Sequence, residues 1–96
     1  MKAKEVKKCI KDYDCCVTNL TLKKAQLIAD KINELENHYY SPYENNNGSY
    51  SEVTLLDCED SILTIEVEIG QQDMGDGDSH REVYDINLDI QTLKIV

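Results

Sequence analysis

The segment from Glu68 to Asp89, EIGQQDMGDGDSHREVYDINLD, carries seven carboxylates, three glycines, one histidine and one arginine. Hard-cation binding is the first chemistry to test, because Asp73, Asp76, Asp78 and Glu82 offer clustered oxygen ligands. The spacing argues against it. An EF-hand loop needs acids at its first, third and fifth positions, then glycine, then a glutamate at the twelfth. Here the acids fall at the first, fourth and sixth, glycine comes early, and no helix is expected to follow. Gly75 and Gly77 fit better as residues that take positive φ in a long hairpin loop.

The remaining reactive residues assemble no better. Cys9, Cys15, Cys16 and Cys58 lack the Cys-x-x-Cys knuckle that structural zinc prefers, and His38 and His80 could join them only by an accident of folding. Cysteine and histidine without a glycine-rich elbow or an oxyanion element make no nucleophilic centre. Gly75-Asp76-Gly77-Asp78 places carboxylates where a phosphate loop would hold phosphates. Acids on a solvated strand lack the burial that tunes a catalytic carboxyl. The residues predict no enzyme, no metal and no cofactor.

What positions these residues is one domain spanning 1–96, of which roughly 65% of the unfolded surface would be buried. With six Tyr, no Phe and no Trp, the core must be Ile, Leu and Val. Residues 2–12 bring Val6, Cys9, Ile10 and Tyr13 to one side at helical spacing, lysines to the other. Residues 14–18, DCCVT, suggest a short strand. Residues 21–38 form the main helix, with Thr21 as its N-cap and Ala25, Ile28, Ala29, Ile32, Leu35 and Tyr39 on one face. Ser41-Pro42 stops it. The loop YYSPYENNNGSY holds four of the six tyrosines, and its Tyr, Asn, Ser and Gly match the make-up of binding loops.

Beyond the loop the period changes from 3.6 to 2. Strands are predicted over 51–57, 62–70 and 82–89, with a turn at Glu59-Asp60-Ser61 and a short closing strand at 93–96. The fold class is therefore α+β: a two-layer domain with one main amphipathic helix and a short N-terminal one on an antiparallel meander of three to four strands. Paired residues of the two middle strands must sum to an odd number if their apolar faces agree. A sum of 153 would set Ile69 against Tyr84 inside and Glu68 against Asp85 outside, across a loop of about twelve residues.

Charge carries the functional signal. Residues 1–31 hold eight lysines and four acids, a net +4; residues 32–96 hold fifteen acids against Arg81 and Lys94, a net −13. Such a surface repels nucleic acid and membranes and attracts basic partners. No apolar run approaches a membrane span. The Lys-rich start without an apolar leader implies a cytoplasmic protein with reduced thiols. Glu66, Glu68, Asp85 and Asp89 share the outward face of two paired strands, and no lysine of either strand joins them. Like charges opposite one another cost stability. A face kept acidic at that cost suits a basic, nucleic-acid-binding protein as partner. Asp73, Asp76, Asp78 and Glu82 of the hairpin, with Tyr40 and Tyr43 of the loop, complete the expected contact set. The protein would then be a non-enzymatic inhibitor that imitates phosphates, as phage-encoded anti-CRISPR proteins do. The other reading is an assembly subunit, a homodimer for instance, joined through strand 93–96 or the tyrosine loop.

Overall fold

The computed structural model describes residues 1–13, 20–44, 48–71 and 80–96. The expected strand at 14–18, the asparagine run 45–47, and Asp73, Asp76 and Asp78 lie outside them. The chain runs α1 (Ala3–Asp12), α2 (Leu22–Tyr40), a 3-10 turn (Ser41–Tyr43), then β1 (Ser49–Glu59), β2 (Ile62–Gln71), β3 (His80–Asp89) and β4 (Lys94–Ile95). The strands form one antiparallel sheet in the order β1-β2-β3-β4. The α+β architecture follows directly: two helices cover one face of a four-stranded meander.

Each helix starts for a local reason. Thr21 Oγ1 accepts from the Lys24 amide at 3.1 Å, capping α2 as expected. The Lys2 amide donates to Glu5 Oε2 at 3.2 Å, half of a capping box for α1. Ala25, Ile28, Ala29, Ile32 and Leu35 of α2 and Ala3, Val6 and Ile10 of α1 are buried in one cluster with Leu55, Leu63, Ile65, Val67, Ile69, Ile86, Leu88 and Ile90. α1 lies against α2, and Asn33 ties the two by accepting from the Met1 amino group at 2.7 Å and donating to the Met1 carbonyl at 3.1 Å. The lysine-rich helix is thus in the helix layer and does not neutralise the far side of the sheet.

Three strand features depart from expectation. The β2–β3 register sums to 151, not 153: Ile65 faces Ile86, Val67 faces Tyr84 and Glu66 faces Asp85. A shift of two keeps every side chain on its face, so alternation alone cannot choose between the registers. The strands also extend to Gln71 and His80, leaving eight residues between them where about twelve were expected. In β1 the pairing steps from Leu55–Ile65 to Asp57–Thr64, so Leu56 is a bulge that lets Leu55 and Cys58 both face the core. Asp60 and Ser61 turn the β1–β2 hairpin at φ of 50° and 67°, the signature of a type I′ connection.

The cysteines depart as well. Cys9 is free and Cys58 is disulfide-bonded, where reduced thiols were expected. No described helix is long and apolar enough to cross a membrane.

Candidate functional site

The sheet face away from the helices carries its charge in rows. Glu52 of β1 lies directly opposite Glu68 of β2, and Glu66 of β2 directly opposite Asp85 of β3. Asp57 and Glu59 continue the face along β1, and Asp89 ends it on β3. Glu52, Asp57, Glu59 and Asp85 are exposed; Glu66 and Glu68 are half-buried. Along a strand, alternate side chains repeat at roughly 6.7 Å, and rows are spaced by about 4.8 Å. The result is a lattice of carboxylates with few cations in it.

Two cations border it. Arg81, one residue ahead of the expected start of β3, lies on this face at the end of the strand. Its Nε donates to Glu68 Oε1 at 2.6 Å, and a second guanidinium nitrogen meets the same oxygen. The hydrogen bond and charge of Glu68 raise the Arg81 pKa. Lys94 of β4 stands opposite Asp89 in the register. Asp89 is not simply on display: its Oδ1 accepts from the amides of Gln91 at 2.9 Å and Thr92 at 3.4 Å, fixing the turn into β4. Tyr50 also lies on the open face. Its ring occupies the space above Gly70, directly opposite, where any Cβ would collide with it.

Glu82, Tyr40 and Tyr43 are not part of this face. Glu82 is opposite Ile69 and therefore points to the helix side. There Tyr84 donates its hydroxyl to Glu82 Oε2 at 2.6 Å, Tyr43 donates to the same oxygen at 2.7 Å, and His80 Nε2 lies 3.1 Å from Oε1. These three partners, Tyr84 foremost, hold the Glu82 carboxyl at about 2. The same contact pushes Tyr84 up to about 12 and raises Tyr43. Tyr39 stacks on Tyr84 with ring centroids 4.5 Å apart, and Tyr40 packs at the rim of the core. Tyr39 and Tyr40, expected in a loop, end α2 instead, and Tyr43 lies in the 3-10 turn; together they close the end of the helix–sheet interface around Glu82. A core-facing acid at position 82 was the available signal: such a group requires donors, and the tyrosines at 39–43 supply them.

Burial, then Asp12, raise the Cys9 thiol, the reverse of what a nucleophile needs. Tyrosines with raised pKa are poorer acids. Among the described residues no three His, Cys, Asp or Glu side chains converge as metal ligands. A groove of about 820 Å³ between the end of α2 and β4 is lined by Leu35, Tyr39, Pro42 and Ile95, with Glu34 and His38 among its polar residues. Comparison with protein-family models, with curated proteins and with solved structures finds no match to this chain.

Proposed function

We propose that the protein is a small non-enzymatic binder whose open sheet face occupies the basic, nucleic-acid-binding surface of a larger protein, in the manner of phosphate-mimicking inhibitors such as the phage-encoded anti-CRISPR proteins. The observation that carries this reading is the pair of like-charge rows, Glu52–Glu68 and Glu66–Asp85, on a face that no described helix covers. Direct like-charge opposition costs a few tenths of a kcal/mol or more per pair. A surface serving solubility alone would intersperse both signs. Carboxylates repeating along and across strands offer a basic groove the regular anionic array that it meets on a nucleic-acid backbone. Such partners work in the cytoplasm, where the Cys58 disulfide would have to be dispensable for binding.

The test is competition. The protein is immobilised, exposed to bacterial lysate at low and moderate salt, and washed with duplex DNA or RNA. The reading expects retention of a nucleic-acid-binding protein, release by salt and by nucleic acid, and no retention by a folded variant carrying Glu52→Lys, Glu66→Lys and Asp85→Lys. Equal retention by that variant, or retention that nucleic acid does not disturb, sinks it.

A further inference from the structure

β3 is paired on one side along its whole length, but β4 covers its other side only at the end. The Asn87 carbonyl accepts from the Val96 amide at 2.9 Å and the Asp89 carbonyl from the Leu93 amide at 2.7 Å, so both point away from β2. The Ile90 amide points the other way, to the Ser61 carbonyl at 3.0 Å. The register between β2 and β3 is unbroken, so the alternation continues along the strand. Arg81, Val83 and Asp85 therefore turn their N–H and C=O groups outward. No hydrogen bond from the described residues reaches these groups. The free stretch is centred on Val83, an apolar side chain that is 44% exposed between Arg81 and Asp85 on the open face.

We infer that this edge pairs with β3 of a second copy, antiparallel about a two-fold axis at Val83. In that register each outward residue meets an outward residue. Val83 faces Val83 of the copy, Arg81 faces its Asp85, and Asp85 faces its Arg81. The three residues of each edge supply six inter-chain backbone hydrogen bonds. Two opposite-charge pairs flank one apolar contact on the same face, which is the arrangement that stabilises cross-strand neighbours. Arg81 keeps Glu68 as its own-chain partner and gains a second carboxylate. Alternative centres are worse. A two-fold at Glu82 sets that carboxylate against its own copy. A two-fold at Tyr84 brings Arg81 against Asn87, whose carbonyl Val96 already occupies.

The other sheet edge does not compete. β1 is broken by the Leu56 bulge, carries Glu52, Asp57 and Glu59, and has its Leu55 carbonyl taken by the Tyr13 hydroxyl at 3.1 Å. The net charge of −9 opposes any self-association, but charges beyond about 8 Å are screened at physiological salt. The inference stands on the edge geometry alone and does not depend on what the acidic face binds.

Sedimentation equilibrium of the full chain over a wide concentration range is the test, with circular dichroism confirming that each variant is folded. The native protein is expected to move from monomer to dimer mass. Val83→Pro removes one outward donor and no hydrogen bond of its own sheet, so it should remain monomeric. Arg81→Asp and Asp85→Arg each create two like-charge contacts and should weaken the dimer roughly tenfold. Mixed in equal amounts, these two variants should pair with each other, because each supplies what the other lacks. A native protein that stays monomeric throughout, a Val83→Pro variant that dimerises as the native does, or a mixture no better associated than its components would overturn the inference.

Discussion

Glu82 is the residue whose role depends most on its surroundings. Its carboxyl is held at about 2, against an ordinary 4.5, by Tyr84, Tyr43 and His80. A carboxyl depressed on folding stabilises the native state above its unfolded value and loses that contribution as pH falls. The cluster should therefore contribute fully above about pH 4.5 and be lost progressively toward pH 2. At the alkaline end, Tyr84 is raised from 10.0 to about 12, so its contribution is present below pH 10 and lost as pH rises through 12. Tyrosinate absorbance should show Tyr84 among the last tyrosines to ionise. Glu82→Gln should bring it back toward 10 and flatten the acid limb of stability; an unchanged Tyr84 titration would refute the assignment. The sequence marked Glu82 as an acid near a loop, but its parity within β3 put it on the core side. Only the fold shows which hydroxyls meet it.

At the scale of elements, periodicity served the helices and the faces of the strands, and failed on register. Ala25, Ile28, Ala29, Ile32 and Leu35 define the inner face of α2 in the sequence and in the structure alike. The bulge is not legible in the sequence, because Leu55 and Leu56 are both apolar and nothing in composition shows which one is extra. The open face also has a packing device that no pattern announces. Tyr50 lies across Gly70, sealing a strand position that has no side chain. Gly70→Ala should displace that ring, and because the ring's outer end lies on an open face and can move, the cost should be at most about 1 kcal/mol. Urea denaturation would measure it, and a midpoint equal to the native one would mean that the ring moves without penalty.

For the whole molecule, the charge asymmetry read along the chain becomes an asymmetry in space. All eight lysines of the first third lie before or within the two helices, and the carboxylate rows lie across the sheet from them. The radius of gyration is 14.9 Å, above the ~12.5 Å of a compact domain of this length, and the extents are 50 × 22 × 20 Å. An elongated domain has less core per residue, which makes the covalent link at Cys58 matter more. Reduction with dithiothreitol is expected to cost about 2–4 kcal/mol, read as a lower urea midpoint. An unchanged midpoint would show that the Ile and Leu core suffices alone.

The extra residue at Leu56 bears on stoichiometry. Without the bulge Asp57 would turn toward the core and Cys58 outward, so it keeps Asp57 and Glu59 on the open face. It also bears on whether the strand can accept a neighbour. A particle with two receptive edges adds subunits without limit and becomes a fibre, whereas one with a single receptive edge is finished after one addition. If β3 edges pair as inferred, the extra leucine on the rim of β1 would keep the opposite edge from adding a further copy, and the assembly would stop at two.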